Sequence, residues 1–202
     1  MNTFTNTLTR NQQLIIGALL LLMLVITRSH LINHIYDASW AIFFMVGFYF
    51  RGSLTASGTS LTRYSFPLFW LVAFATDLLV IESKGGESYC FTASYPFLIP
   101  AYASLWMAGR WFANHYSENL RGLLYFVGAA VVGITVCDII SSGGFYWFSG
   151  RFTDENMTEF VSRIATYLPL FMKTTMMYLG FATVLHLVIK HSGKITGSEQ
   201  HS

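Results

Sequence analysis

The feature that most constrains the fold is a series of long apolar segments. The first, residues 14–27, reads LIIGALLLLMLVIT and contains no charged residue. A helix needs about 20 mainly apolar residues to cross a bilayer, because each residue adds about 1.5 Å and the hydrocarbon core is roughly 30 Å thick. Six segments of this kind follow one another along the chain. They cover about residues 13–27, 32–50, 66–81, 95–112, 120–140 and 166–189.

The composition also indicates a membrane protein. Only 11% of the 202 residues are charged and 53% are hydrophobic, whereas a soluble domain carries about 25% charged residues. The net charge is +2 and the basic residues are spread out, so no nucleic-acid-binding surface is indicated. No small-x-small cleavage site follows the first apolar segment, so we expect a retained helix rather than a signal peptide. The sequence predicts an all-α membrane protein, with residues 1–202 forming a single domain of six transmembrane helices.

The loops predict the orientation, because cytoplasmic loops are enriched in Lys and Arg. With six helices, both termini share one side of the membrane with the second and fourth loops. That side carries seven basic residues and the other side four, with Lys173 left out because it falls inside a segment. We therefore expect both termini in the cytoplasm and the loops at 28–37, 82–94 and 141–165 on the outer face. The seven are Arg10, Arg51, Arg63, Arg110, Arg121, Lys190 and Lys194, and the four are Arg28, Lys84, Arg151 and Arg163.

The second outer loop contains an isolated cysteine. Residues 85–100 read GGESYCFTASYPFLIP and include Cys90, while the other cysteine, Cys137, falls in the fifth segment. The chain has no CxxC motif and no Cys/His metal-site spacing. Three interpretations of Cys90 stay open: a small buried residue, a disulfide with Cys137, and a free thiol that acts as ligand or nucleophile. A thiolate is a soft donor that suits late transition metals and cobalt.

Charged residues inside the apolar segments are the other candidates. Asp77 lies in the third segment, where an ionised carboxylate costs about 2.5–3.5 kcal/mol on insertion scales. We expect it to pair with a neighbouring arginine or hydroxyl, or to face a ligand. Asp138 lies near the outer end of the fifth segment and is interpreted as structural. Lys173 in the sixth segment is expected to pair with Asp77 or Asp138.

Histidines and aromatic residues give weaker signals. His30 and His34 have the i, i+4 spacing of a metal-binding pair, although a solvated or hydrogen-bonded role accounts for them as well. His186 is the only histidine deep inside a segment, which disfavours a bis-histidine haem. Aromatic residues gather at the predicted outer ends of the segments, which fits either an interfacial belt or a pocket for a large planar ligand. A short surface helix is expected within residues 150–169, before the sixth segment.

Four stretches together resemble a known family. They read TRSHLINHIYDASWAIFFMVGFYFR, ATDLLVI, SYCFTASYPFLIPAYASLWMAGRW and ISSGGFYWFSGRF, and they are similar to the BtuM family of bacterial cobalamin transporters from about Thr27 to Arg163. That family resembles the substrate-binding S-components of energy-coupling-factor transporters. The resemblance implies an S-component-like bundle in the bacterial inner membrane, cobalamin (vitamin B12) as transported ligand rather than permanent cofactor, and an energy-coupling-factor module as a candidate partner.

The resemblance also implies roles for individual residues. Cys90 would ligate the cobalt of cobalamin and would take the place of the upper cyanide ligand of cyanocobalamin, which makes it the candidate catalytic residue for decyanation. An alternative function is a membrane thiol–disulfide redox protein that uses Cys90 and Cys137. The ligand-binding residues that the resemblance implies are Asp77, Cys90, Tyr95, Arg163 and His30, with His34 competing for the role of His30.

Overall fold

The computed structural model describes residues 10–29, 35–51, 60–83 and 92–198. In these ranges the chain folds into six α-helices and one 3-10 turn, which confirms the prediction of an all-α protein with six helices. The helices are α1 (Arg10–Arg28), α2 (Ser39–Tyr49), α3 (Ser60–Ser83), α4 (Leu98–Asn114), α5 (Leu120–Phe148) and α6 (Met157–Ser198), and the 3-10 turn Tyr95–Phe97 leads into α4.

Four of these helices are long and apolar enough to cross a membrane. They are α1, α3 from Arg63, α5, and α6 as far as Val188. The apolar α2 and the helix α4 are shorter, with 11 and 17 residues. Many large apolar side chains of the long helices are exposed, which is the surface that a lipid environment covers. The chain is therefore an all-α membrane protein.

Helix α2 forms the centre of the bundle. Every residue from Ala41 to Phe48 is buried, because the other helices pack around it. Its closest neighbour is α4, and the two backbones meet where Gly47 faces Gly109. Helices α1 and α3 pack on one side of α2, while α5 packs against α4 and α6 packs against α5 and α2.

Two helices begin later than the sequence predicted. The second starts at Ser39 rather than near residue 32, and residues 35–38 are not helical. The carboxylate of Asp37 accepts hydrogen bonds from the backbone N–H and the hydroxyl of Ser39, at 2.9 and 2.6 Å, and this local turn competes with the helix. The fourth α-helix starts at Leu98 rather than 95, since Pro96 lies in the 3-10 turn and lacks a backbone donor.

The predicted loop at 141–165 is mostly helical. Helix α5 continues to Phe148 rather than ending near residue 140. Its extension packs closely on the 3-10 turn, since a Cβ at Gly144 would lie 2.5 Å from the ring of Phe97. Helix α6 begins at Met157, so the expected surface helix and the sixth segment are one helix that contains Pro169. The side chain of Asn156 accepts a hydrogen bond from the backbone N–H of Glu159 at 2.8 Å and caps this helix.

Candidate functional site at the end of the bundle

Polar side chains from four helices and the 3-10 turn meet at one end of the bundle. This end contains the C-termini of α1 and α3 and the N-termini of α2 and α4. A guanidinium lies at the centre and connects two carboxylates and several hydroxyls. We call this set the Arg28 network, and its members are Arg28, Asp37, Ser39, Asp77, Tyr95 and Tyr102.

The strongest contact in the network joins Arg28 and Asp77. Arg28 Nε donates to Asp77 Oδ1 and Arg28 Nη2 donates to Asp77 Oδ2, both at 2.6 Å. Their side chains are only 9% and 20% exposed, so solvent screens the pair weakly. A planar guanidinium fits a carboxylate in this two-bond arrangement, which is stronger and more directional than a single contact. Arg28 is also the last residue of α1, where a positive charge is favourable for the helix dipole.

The remaining nitrogen of Arg28 reaches the other side of the bundle. Nη1 donates to the hydroxyls of Ser39 and Tyr102, each at 2.9 Å, and lies 3.4 Å from Asp37 Oδ2. Ser39 and Tyr102 are buried, at 0% and 3% exposed. One guanidinium therefore ties α1, α2, α3 and α4 together through hydrogen bonds.

Tyr95 completes the network. Its hydroxyl donates to Asp77 Oδ2 at 2.5 Å. Burial raises the pKa of the Tyr95 phenol well above its usual value, and the hydrogen bond to Asp77 and the negative charge of Asp77 raise it further. The phenol is therefore a protonated donor at neutral pH. Within the described ranges Asp77 accepts three hydrogen bonds, so its oxygens are held in place rather than available as a mobile base.

The structure places the predicted site residues in different surroundings. It brings Asp77 and Tyr95 into direct contact. Arg163 lies elsewhere, on α6, where it is 3.7 Å from Glu159 and 4.7 Å above the ring of Phe152, and its side chain is 38% exposed. Cys90, His30 and His34 lie outside the described residues, in the segments 84–91 and 30–34.

The pairing expected for Lys173 is wrong. Lys173 is exposed on α6, and Asp77 pairs with Arg28 instead. Sequence reasoning counted Arg28 as a loop charge and did not connect it with Asp77. The sequence did contain a signal. Arg28 follows the first apolar segment and Asp77 comes late in the third, and the first and third of a series of spanning helices run in the same direction, so both residues are expected near the same end of the bundle.

Asp138 and Cys137 lie side by side in α5, and both are fully buried. Asp138 Oδ1 accepts a hydrogen bond from the hydroxyl of Ser142 at 2.9 Å, while Oδ2 has no hydrogen-bond partner among the described residues. Cys137 is a free cysteine. The burial of Cys137 disfavours thiol–disulfide exchange, because that reaction requires an accessible thiolate. The described ranges contain no group of three metal-binding side chains.

The aromatic residues at the end of α5 mainly pack on one another. Tyr146 is 1% exposed, and its hydroxyl accepts a hydrogen bond from the backbone N–H of Asn156 at 2.9 Å. The rings of Trp147 and Phe160 lie 4.4 Å apart and join α5 to α6. Phe148 is 56% exposed at the end of this cluster. The cluster forms an aromatic wall at the same end of the bundle as the Arg28 network, since Phe148 stacks on Phe97 of the 3-10 turn at 4.9 Å.

The network offers a ligand a preorganised set of polar groups beside an aromatic wall. Its most exposed members are the carboxylates of Asp37 and Asp77, at 39% and 20%, and these can accept hydrogen bonds from an amide-rich molecule. No protein-family model matches the chain, and no curated protein matches it.

Proposed function

We propose that the chain is a bacterial inner-membrane protein that binds cobalamin at the end of the bundle that holds the Arg28 network and takes it up, in the manner of an S-component. The observation that carries this proposal is the hydrogen bond between Tyr95 and Asp77 at 2.5 Å. The family resemblance implies that both are ligand-binding residues, although Asp77 belongs to the third predicted segment and Tyr95 to the fourth. Their contact at one end of the bundle is what a shared binding site requires.

Connectivity supports a role for Cys90 at the same end. The segment 84–91 joins α3, which carries Asp77, to the 3-10 turn that carries Tyr95. Cys90 therefore belongs to the connection between the two elements that carry Asp77 and Tyr95. In this proposal the thiolate donates an electron pair to cobalt and cyanide leaves with its own pair, so the oxidation state of the metal does not change. A thiolate is a suitable ligand for such a metal centre.

The other site residues have distinct proposed roles. Asp77 and Tyr95 form the floor of the site, held by Arg28, while His30 belongs to the segment between α1 and α2. Arg163 stands on α6 beyond the network, with its guanidinium half-exposed and available to a ligand. Both termini are cytoplasmic in this proposal, and the transport step is a toppling of the whole bundle in the bilayer, with an energy-coupling-factor module as candidate partner.

The absorption spectrum of bound cobalamin tests the cobalt ligand. The protein is purified from cells grown with cyanocobalamin, as wild type, Cys90→Ala and the matched control Cys137→Ala. We expect a shifted corrin spectrum in the wild type and in the control, because only Cys90 reaches cobalt. A bound-corrin spectrum of Cys90→Ala that equals the wild-type spectrum would disprove thiolate ligation. The absence of corrin from all three proteins would disprove cobalamin binding.

Growth tests the transport function separately. A methionine-auxotrophic strain that depends on imported cobalamin is grown at limiting vitamin, with and without the gene. We expect growth only with the gene, and weaker growth with Cys90→Ala than with Cys137→Ala. Equal growth without the gene contradicts uptake even if the purified protein binds the vitamin.

A further inference from the structure

A cavity lies at the opposite end of the bundle from the Arg28 network. It has a volume of about 230 Å³ and lies among the C-terminal ends of α2 and α4, the loop between α4 and α5, the N-terminal half of α5 and the second half of α6. A dry apolar cavity of about 150 Å³ already holds a benzene molecule. This cavity is therefore large enough for a molecule with one ring and a small substituent. We call it the aromatic cavity, because its walls include the rings of Phe44, Phe48, Tyr49, Phe112, Tyr116 and Phe126.

The rings of the aromatic cavity form a continuous wall. Phe48 stacks on Phe112 with their centroids 5.3 Å apart, and Phe44 meets Phe126 edge to face at 5.9 Å. Because the rings come from three helices and pack on one another, the wall is formed before a ligand arrives. The face of an aromatic ring is electron-rich and attracts a cation, most strongly where water is excluded. Such a wall favours a positively charged ligand over a neutral ligand of the same shape.

A carboxylate stands at the mouth of the aromatic cavity. Glu118 and Leu123 line the cavity and are exposed, so the cavity is open on this side. The hydroxyl of Tyr116 lies 3.5 Å from Glu118 Oε1. The loop that carries Glu118 is fixed by Asn119, whose side chain accepts a hydrogen bond from the backbone N–H of Gly122 at 3.0 Å and caps α5. The carboxylate is therefore held next to the aromatic wall.

The charge of the walls has one sign. Among the described residues that line the aromatic cavity, Glu118 is the only acidic one, and none is Lys or Arg. A single carboxylate at the mouth attracts a cation and repels an anion. The charged residue and the aromatic rings therefore select the same kind of ligand.

The neutral polar groups of the walls are bonded within the protein. The hydroxyl of Thr183 donates to a backbone carbonyl one turn earlier in α6 at 2.8 Å, and the hydroxyl of Ser117 donates to Asn119 Oδ1 at 2.8 Å. The Tyr49 hydroxyl and His186 Nδ1 are 3.1 Å apart and form a hydrogen bond. These contacts make the walls less suited to a neutral ligand that requires many hydrogen bonds.

From these features we propose that the aromatic cavity binds a monovalent organic cation that carries one aromatic or alkyl group, as a substituted ammonium ion does. The apolar group lies among the rings of α2, α4 and α5, and the positive charge lies toward the mouth, beside Glu118. This site is at the other end of the molecule from the proposed cobalamin site and does not depend on it.

Three probes of similar size and different charge test the proposal. Phenyltrimethylammonium is the cation, tert-butylbenzene is the neutral molecule of the same shape, and benzenesulfonate is the anion. The full chain is placed in phosphatidylcholine nanodiscs, and binding is titrated by ligand-observed NMR, with empty nanodiscs as the reference for partition into lipid. The measurement is made at pH 8, because an ordinary histidine is neutral there.

Two pairs of variants locate the site. Glu118→Gln removes the carboxylate at the mouth, and its control Glu155→Gln removes an exposed carboxylate at the opposite end of the bundle. Ala182→Phe fills part of the cavity, since Ala182 lines it. Its control is Val184→Phe, which adds a ring to the exposed face of the same helix.

We expect the wild type and both control variants to bind the cation about tenfold more tightly than the neutral molecule, and to bind no anion. Glu118→Gln should weaken binding of the cation about fivefold and leave binding of the neutral molecule unchanged. Ala182→Phe should abolish binding of both.

The comparison of the three probes on the wild type does not depend on any variant folding. Equal affinity for the cation and the neutral molecule would show a cavity that selects only for apolar character, and would overturn the proposal. Full affinity for the cation in Glu118→Gln or in Ala182→Phe would overturn it as well, because the cation would then bind elsewhere.

Discussion

At the scale of single residues, Arg28 stabilises the carboxylate of Asp77 in the interior of the bundle. Asp77 lies in a membrane helix, where an ionised group is costly. The two-bond contact with Arg28 and the hydroxyl of Tyr95 compensate this cost. Because Arg28 also bonds Ser39 and Tyr102, its removal leaves several buried polar groups without a partner. The effect on stability should therefore exceed that of losing one contact.

We predict that Arg28→Gln lowers the free energy of unfolding by about 3 kcal/mol, because it leaves the carboxylate of Asp77, only 20% exposed, without its cationic partner. The double variant Arg28→Gln/Asp77→Asn should recover part of this loss, since it removes the uncompensated charge. Thermal unfolding in detergent, followed by intrinsic fluorescence, measures both. A wild-type melting temperature for Arg28→Gln would show that the pair contributes nothing.

We also predict that Tyr95 ionises only at strongly alkaline pH. An unfolded tyrosine has a pKa of about 10, and burial together with the Asp77 contact raises the folded value. The stability that this contact adds is therefore present below about pH 10 and is lost as the pH rises further. The tyrosinate absorbance of wild type and Tyr95→Phe should be equal at pH 10.5 in the folded state and should differ by about three-quarters of one tyrosinate after denaturation, since an unfolded tyrosine is about that far ionised at this pH. A difference of that size in the folded state at that pH would contradict the raised pKa.

At the scale of helices, the contact between α2 and α4 organises the core. A Cβ at Gly47 would lie 2.0 Å from the carbonyl oxygen of Trp106, and a Cβ at Gly109 would lie 2.0 Å from that of Phe44. Backbone atoms cannot move aside as a flexible side chain can. The short α2 is thereby held close to α4, which keeps the N-terminal ends of both helices at the Arg28 network.

We predict that Gly47→Ala and Gly109→Ala each destabilise the protein by about 3 kcal/mol or more, because each forces the two backbones apart. Gly128→Ala and Gly180→Ala are matched controls, since nothing lies within 4 Å of a Cβ at either position. These two should leave the melting temperature unchanged or slightly raised, because alanine favours helix over glycine by about 1 kcal/mol. Equal losses in all four variants would mean that helix propensity or expression, rather than the close contact, is responsible.

At the scale of the whole molecule, the two ends of the bundle differ in character. The end with the Arg28 network holds a rigid polar site beside an aromatic wall, and the other end holds an apolar cavity. The loop charges predict that the network lies on the outer side and the cavity on the cytoplasmic side. The proposed uptake function depends on this assignment, because the binding site needs access from outside.

Accessibility of introduced cysteines tests the orientation. In a Cys90→Ala/Cys137→Ala background, Thr153→Cys lies between α5 and α6 and Asn114→Cys lies at the end of α4, at opposite ends of the bundle. A membrane-impermeant maleimide should label Thr153→Cys in spheroplasts and Asn114→Cys only after the membrane is disrupted. The reverse pattern would place the termini outside and would contradict the proposed direction of uptake.

Much of the fold could be predicted, because a long run of hydrophobic residues indicates a membrane helix whatever its neighbours are. The apolar segments indicated six helices, and the low share of charged residues, 11% of the chain, indicated the membrane. The ends of helices were harder to predict, since they depend on neighbours: α5 continues past residue 140, where Gly144 packs on Phe97, and α2 starts late because Asp37 bonds Ser39. For the site, the cost of a buried charge indicated Asp77, and the family resemblance indicated Tyr95.

By itself, the sequence determined the helical class, the membrane environment and the presence of a carboxylate in need of a partner, because hydrophobicity and charge are properties of each residue wherever it lies. Only the tertiary structure decided that the partner is Arg28 rather than Lys173, that two glycines bring α2 and α4 together, and that a cavity opens between α5 and α6. These features depend on distances between residues far apart in the chain, and such distances arise only when the helices pack.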